Sequence, residues 1–519
     1  MNTRKIGLSL LLAGTSMISL AKRDKDRPNI LFIMSDDHSS SAISTYGSHL
    51  TEVFKTPNID KLANQGVTLK NCFVTNAICT PSRATILTGK YSHKNKVYTL
   101  LDKIRDQDNV ASILQQNDYK TGVIGKWHLH SEPHGFDDYM VFPGQGKYYD
   151  PVIKNKKELT RSFRLDRGKK NKGYSTDIVG DKSIEWLEEN KNEPFFLMCH
   201  FKAPHRPWDP APRYKDFLKD VEIPEPDNLY DDNLGQGKWA ATAFNRIGKD
   251  MQSFDVGAQI PDSLSGDELT HWKYQHFIKR YLACCKAVDD NVGKLMEYLE
   301  KSGLAENTII VYTSDQGFFL GEHGWYDKRL MYEEGLHMPF IIRYPEKIKA
   351  NKKVKELITN VDFAPTLLDY AGVDIPEDMQ GKSMKPLLEG EKVKDWRKSV
   401  YYRYWMHMTD VGVPAHYGIR TDRYKLIFYY GLPLGMRGTK RNIDVFNPNS
   451  GKIKPTEAEW EFFDLKKDPK EMNNLYNNPK YAKIISKLKD DLLKQKADLE
   501  DTDEMYPELI KVTKASWDK

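Results

Sequence analysis

The chain has 519 residues, with 78 Lys and Arg against 73 Asp and Glu, a formal net charge of +5 and an apolar fraction of 39 %. This is too weakly basic for a nucleic-acid-binding footprint and too apolar for a disordered chain. The length exceeds what one compact core usually carries, so a large domain with a smaller companion is expected.

In chain order, Arg4 and Lys5 precede a largely apolar run from Ile6 to Leu20, and Ser19-Leu20-Ala21 offers small residues for cleavage. This predicts an export signal over 1–21, with the mature protein periplasmic or secreted. No later stretch is apolar enough to predict a membrane span. Short buried strands are predicted at Ile30–Met34, Gly122–Ile124, Phe195–Met198 and Ile309–Tyr312. Between them lie helices, one capped by Thr56 with Pro57 in its first turn and stopped near Gly66. A long one carries Phe277, Ile278, Tyr281, Leu282, Cys285, Val288, Val292, Leu295 and Leu299 at spacings of three and four and ends at Gly303. The alternation predicts an α/β fold with a mostly parallel sheet covered by helices on both faces. The basic stretch from Lys154 to Lys172 reads as a solvated loop, with a subsite for an anionic glycan as the sharper alternative. A catalytic domain is expected over 22–390 and a C-terminal subdomain over 391–519. In the latter, strands are predicted at Ser399–Tyr404, Tyr417–Thr421, Tyr424–Tyr430 and Trp460–Leu465, and an amphipathic helix at Tyr481–Leu499.

Each strand of the large domain is followed by polar residues: Asp36-Asp37-His38, Lys126-Trp127-His128, His200 with His205, and Asp315-Gln316. In open α/β sheets ligands bind beyond the carboxyl ends of the strands, so these clusters should converge on one site. Asp36, Asp37, Asp315 and Gln316 are all oxygen donors, a set that suits Ca²⁺ or Mg²⁺ and suits zinc poorly. The five cysteines are few and odd in number, which argues against a disulfide framework. Cys72, Cys199, Cys284 and Cys285 read as core residues. Only Cys79 sits in a sequence that packing does not explain.

The run Cys79-Thr-Pro81-Ser82-Arg83 through Leu87-Thr88-Gly89 resembles the signature of the formylglycine-dependent type I sulfatases of the alkaline phosphatase superfamily. Asp36-Asp37, Gly125-Lys126-Trp127-His128, Ala203-Pro204-His205, Ser314-Asp315-Gln316-Gly317, His323-Gly324 and Lys328 extend the resemblance, as does the segment from Glu461 to Leu475. The resemblance implies an alkaline phosphatase-like large domain beside a smaller antiparallel sheet with a helix. It implies a bacterial carbohydrate sulfatase in which a formylglycine-generating maturation enzyme converts Cys79. One hydroxyl of the hydrated aldehyde would attack sulfur to give a covalent sulfo-enzyme, and the other would expel sulfate. Ca²⁺ would be held by Asp36, Asp37, Asp315 and Gln316 beside the nucleophile at position 79, with Arg83, Lys126 and Lys328 as a cationic cradle. The dipole of a helix starting near Pro81 would act in the same direction. His128 would take the proton of the second hydroxyl. His205 would orient sulfate and protonate the leaving oxygen, with Lys328 as an alternative donor. Gln316 departs from the Asn or His of many relatives without changing donor type.

Glycosaminoglycan, mucin and algal glycans are all admissible substrates. Trp405, His407, His416, Arg420, His323 and Arg329 are candidate sugar contacts. The rival readings are a phosphate or phosphonate ester hydrolase of the same superfamily and an inactive sulfated-glycan-binding protein. An ordinary reactive thiol is the competing reading of Cys79 itself.

Overall fold

A computed structural model describes residues 27–156, 168–409, 411–436 and 453–518. The export segment expected over 1–21 and residues 157–167 of the basic stretch lie outside the described residues. Among those described, no helix is long and apolar enough to cross a membrane.

The large sheet is built on β1 (Asn29–Ser35), whose seven residues are all buried. Its side chains alternate between two cores: Ile30, Phe32 and Met34 pack on one face, Leu31 and Ile33 on the other. A strand covered on both sides has no polar alternation to show, which is why it reads as an unbroken apolar run. The other strands of this sheet are β2 (Val67–Leu69), β3 (Lys120–Gly125), β4 (Asp138–Val141), β5 (Val152–Asn155), β6 (Lys169–Lys170), β7 (Phe195–His200), β8 (Thr308–Ser314), β9 (Phe340–Arg343) and β10 (Lys352–Val354). Their order is β10-β2-β9-β8-β1-β7-β3-β4-β5-β6. The central strands β8, β1, β7, β3 and β4 are mutually parallel, while β9 runs antiparallel to β8 and β5 antiparallel to β4.

Helices cover both faces. α1 (Pro57–Asn64) begins after Thr56, but the Thr56 hydroxyl bonds Ser44 and Asp60 and not the helix N–H groups, so the expected side-chain cap is absent. α2 (Cys79–Thr88) starts at the signature cysteine itself, two residues before the expected Pro81, and ends at Gly89, whose φ of 64° is a left-handed C-cap. α3 (Ser175–Asn190) and the 36-residue α4 (Gly266–Lys301) lie with α1 on the face opposite α2, where α4 buries Phe277, Ile278, Tyr281, Leu282, Cys284, Cys285 and Val288. All five cysteines are free and buried.

A second, antiparallel sheet follows, with β11 (Ser399–Tyr404), β12 (His416–Thr421), β13 (Tyr424–Tyr429) and β14 (Glu459–Asp464) in sequential order. Tyr402, Tyr404, Ile427, Tyr429 and Phe463 join the core of the large sheet. Tyr401, Tyr417, Leu426, Phe428 and Phe462 pack instead with Ile485, Leu488 and Leu492 of α5 (Ala482–Asp498).

Candidate active site

The registers Met34↔His200, Ser35↔Ser314 and Gly125↔His200 bring the carboxyl ends of β1, β7, β8 and β3 level. The polar residues that follow therefore meet at one edge of the sheet. Lys126 donates to Asp36, and Arg83 Nε donates to Asp315 Oδ2 at 2.9 Å. Lys328 Nζ bridges both oxygens of Asp37, at 2.7 and 2.8 Å. Asp37 has a φ of 64°, a conformation held by its own N–H donating to Asp315 Oδ1 at 3.1 Å and by Tyr281 Oη donating to its carbonyl at 2.6 Å.

One oxygen each of Asp36, Asp37 and Asp315 lie within 4.8 Å of one another, and all three side chains are buried. Burial opposes ionisation of Asp36, yet the Lys126 and Arg83 cations hold its carboxyl well below the usual range. The cations do not suffice for its neighbours. Burial, with Asp36 beside it, pushes Asp37 up to about 6 against the pull of Lys328, and the same two causes push Asp315 up to about 7. Asp36 Oδ1 and Gln316 Oε1 are buried with no hydrogen-bond partner among the described residues. Under-compensated carboxylates with two orphaned oxygens fit a hard divalent cation.

Cys79 opens α2 and lines a cavity of about 160 Å³ with Asp37, Gln145, His205, Arg206, Trp208, Tyr326, Asp327, Lys328 and Arg329. Burial pushes its thiol far above the ordinary value, with Lys126 and Lys328 offsetting only part of this. The side chains around it are tied together: Ser82 Oγ donates to the Asp315 carbonyl, Asn360 Nδ2 donates to Ser82 Oγ at 2.9 Å, and the Lys126 carbonyl accepts from Arg83 Nη1 at 2.6 Å. His205 Nδ1 must carry a proton, since its partner at 2.6 Å is the Arg206 carbonyl. Its Nε2 faces Asp37 Oδ2 at 3.8 Å, and burial holds the ring neutral. That tautomer leaves a lone pair at Nε2, suited to accepting or orienting. Lys328, kept charged chiefly by Asp37 despite its burial, is the proton-bearing group on the same wall. His128 does not line the cavity. It is tied to the first turn of α2, its carbonyl accepting from Thr80 Oγ1 at 3.0 Å, and burial followed by Lys126 keeps it neutral.

Of the six candidate sugar contacts, only Arg329 lines the cavity. Trp405 is buried under the Arg403 guanidinium, 3.6 Å from its ring centre. His407 is fixed by Ala415 N and the Lys454 carbonyl, and His416 is packed among Tyr402, Tyr404 and Tyr429. Arg420 forms a two-pronged pair with Glu333 at 2.9 and 3.2 Å, and His323 is fully buried. Gln145, Arg206, Trp208, Tyr326 and Asp327 also line the wall; the sequence marked the last four only by nearness to His205 or Lys328, and Gln145 not at all.

A largely parallel α/β sheet with carboxylates and cations at its strand ends, and a buried cysteine at the start of α2, fits a hydrolase of anionic esters. The profile described as Sulfatase matches residues 28–373, and that described as N-sulphoglucosamine sulphohydrolase, C-terminal, matches 321–434 and 453–498. The chain belongs to the sulfatase family and is a sulfuric ester hydrolase. It is 43 % identical to an N-acetylglucosamine-6-O-sulfatase of Bacteroides thetaiotaomicron over 92 % of this chain and 88 % of that protein. A solved structure in complex with its substrate D-glucosamine-2-N,6-O-disulfate shares a TM-score of 0.82 and 42 % identity, covering 92 % of this chain and 99 % of that one. The phosphonate monoester hydrolase from Silicibacter pomeroyi has a TM-score of 0.70 at 19 % identity, over 91 % of this chain and 95 % of that one, a likeness of fold alone.

Proposed function

We propose that this chain removes a 6-O-sulfate from a glucosamine-type sugar, with Cys79 converted to Cα-formylglycine and a calcium ion held by Asp36, Asp37, Asp315 and Gln316. The supporting observation is the cavity in which Cys79, Asp37, His205 and Lys328 converge, in a chain similar to proteins that act on 6-sulfated glucosamines. Once formed and loaded, the hydrated aldehyde supplies a nucleophilic hydroxyl and the calcium offsets charge on the ester. Lys328 meets the sulfate at the cavity wall, and Arg83 and Lys126, paired with Asp315 and Asp36 behind it, add positive field that offsets the charge growing on its oxygens. Lys328 brings a proton to the departing sugar oxygen, and His205, whose neutral Nε2 is an acceptor at the cavity wall, takes a proton from the second hydroxyl when sulfate leaves, a role His128 would fill only from behind that wall. Export through residues 1–21 and conversion by a separate maturation enzyme belong to the same reading.

The cavity is smaller than the roughly 300–1,000 Å³ that encloses a drug-sized ligand, which favours a single terminal sugar residue over an internal one as its occupant. Matured enzyme should be assayed on N-acetylglucosamine and galactose sulfated at different positions, on oligosaccharides sulfated terminally or internally, and on a 6-phosphate. The expected result is a preference of about a hundredfold or more for the terminal 6-O-sulfate of glucosamine type. Dominant phosphatase activity, or preference for another sulfate position, would overturn the assignment.

A further inference from the structure

The stretch from Phe319 to Arg329 is under conformational load. Phe319–Leu320 and Tyr326–Asp327 pair as a short hairpin whose return strand leads directly into Lys328. Within it His323, Asp327 and Arg329 have φ values of 58°, 80° and 95°, a region non-glycine residues occupy only when their surroundings hold them there. The hairpin tip is where that hold is found. The His323 ring is fully buried, stacked on Trp325 with ring centres 5.0 Å apart and set edge-on to Tyr332 at 5.2 Å. Nδ1 lies 3.4 Å from Asp231 Oδ2, and Nε2 lies 3.9 Å from Glu334 Oε2. Neither Nε2 nor Glu334 Oε2 has a hydrogen-bond partner among the described residues. The His323 carbonyl accepts from Asn233 Nδ2 at 3.0 Å, and a Cβ on Gly324 would stand 2.8 Å from the Leu229 carbonyl, so the segment around 229–233 lies directly against the tip.

We propose that His323 is a positioning residue of the sulfatase reaction: as an imidazolium clamped between Asp231 and Glu334, it pins the hairpin tip and so fixes Lys328 against Asp37. The groups facing the ring are Glu322 on its own turn, Asp231 from the segment before α4, Glu334 from the turn after Lys328, and Glu471 from the C-terminal segment, itself paired with Lys425 at 2.6 Å. Burial disfavours the charged ring, but Asp231, Glu334 and Glu471 outweigh it and favour the cation. Gln236 Nε2 donates to Asp231 at 2.9 Å and keeps that carboxylate aimed at the tip. Because the clamp holds while His323 is protonated, it releases as pH rises through the ring's own titration.

The test is kcat and KM against pH for the matured wild type, His323→Gln and Glu334→Gln on N-acetylglucosamine-6-sulfate, with amide hydrogen exchange of the peptide covering 319–331. His323→Gln should lower kcat about ten- to hundredfold with KM changed less than about threefold, because a misplaced Lys328 hurts the chemical step. Its 319–331 peptide should exchange faster. Glu334→Gln should keep an alkaline limb but move it to lower pH by about half a unit, since one of the carboxylates favouring the cation is gone. Wild-type kcat in His323→Gln, or superimposable alkaline limbs in Glu334→Gln and wild type, would overturn the proposal. The proposal rests on the sulfatase reading. Failure of that reading would show as no turnover by wild type, and unchanged exchange in His323→Gln would then still refute the clamp.

Discussion

Charge sharing governs the site residue by residue. Three carboxylates at the ends of β1 and β8 divide the cations of Arg83, Lys126 and Lys328, and the division is unequal: Asp36 is firmly ionised while Asp37 and Asp315 are pushed up to about 6 and about 7, mainly by burial. A divalent cation bound there would remove that imbalance, and a ligand that binds only the folded state at a hundred times its Kd raises stability by about 2.7 kcal/mol. Calcium should therefore raise the melting temperature of wild type measurably. Asp315→Asn, which also deprives Arg83 of its partner at 2.9 Å, should abolish that rise and cut turnover by about a hundredfold or more. A calcium-dependent shift retained in Asp315→Asn would remove this residue from the ligand set. The metal candidates and Cys79 were legible in the sequence because each sits in a short run directly after a strand or at a helix start. Trp405, His407 and His416 were misread because residue type announces a possible sugar contact but not burial, and all three are enclosed by neighbours distant in sequence.

Among the elements, the C-terminal sheet is a buttress of the site. Tyr402 on β11 donates to the Arg329 carbonyl at 2.5 Å and accepts from Ala77 N at 3.3 Å, touching both the cavity wall and the segment before α2. On β14, Glu461 is fully buried, accepting from Tyr332 Oη at 2.9 Å and Tyr429 Oη at 3.3 Å, and burial pushes its carboxyl up to about 8. The folded state therefore keeps a proton that the unfolded chain releases near its ordinary value of 4.5, and stability falls as pH rises between those values. Glu461→Gln preserves the neutral shape and removes the titration. Its melting temperature should fall less than that of wild type from pH 5 to pH 8, and equal slopes for the two proteins would contradict the assignment. The predicted strands and α5 match the observed ends to within a residue or two, since each has apolar positions on a single period. β2 and β10, three residues each at one margin of the large sheet, carry too few positions to show any period and were not anticipated.

For the whole molecule, the site gathers at the carboxyl edge of one sheet, the hairpin forms part of its wall, and the C-terminal sheet braces that wall from behind. Much of this organisation was readable because parallel strands buried on both faces leave unbroken apolar runs, and their ends collect the polar residues. The wall was not readable, since Gln145, Arg206 and Asp327 meet only after segments far apart in sequence are folded against one another. The account turns on Cys79: a thiol buried beside Asp36 and Asp315 is held un-ionised, which makes it a poor nucleophile as it stands. The most direct measurement is the mass of the peptide containing Cys79 from protein co-expressed with a maturation enzyme, taken alongside sulfate release by the same sample. The account predicts a peptide in which oxygen has replaced sulfur with loss of two hydrogens, at a fraction that tracks the rate of sulfate release. An unmodified cysteine in protein that releases sulfate at full rate would contradict it.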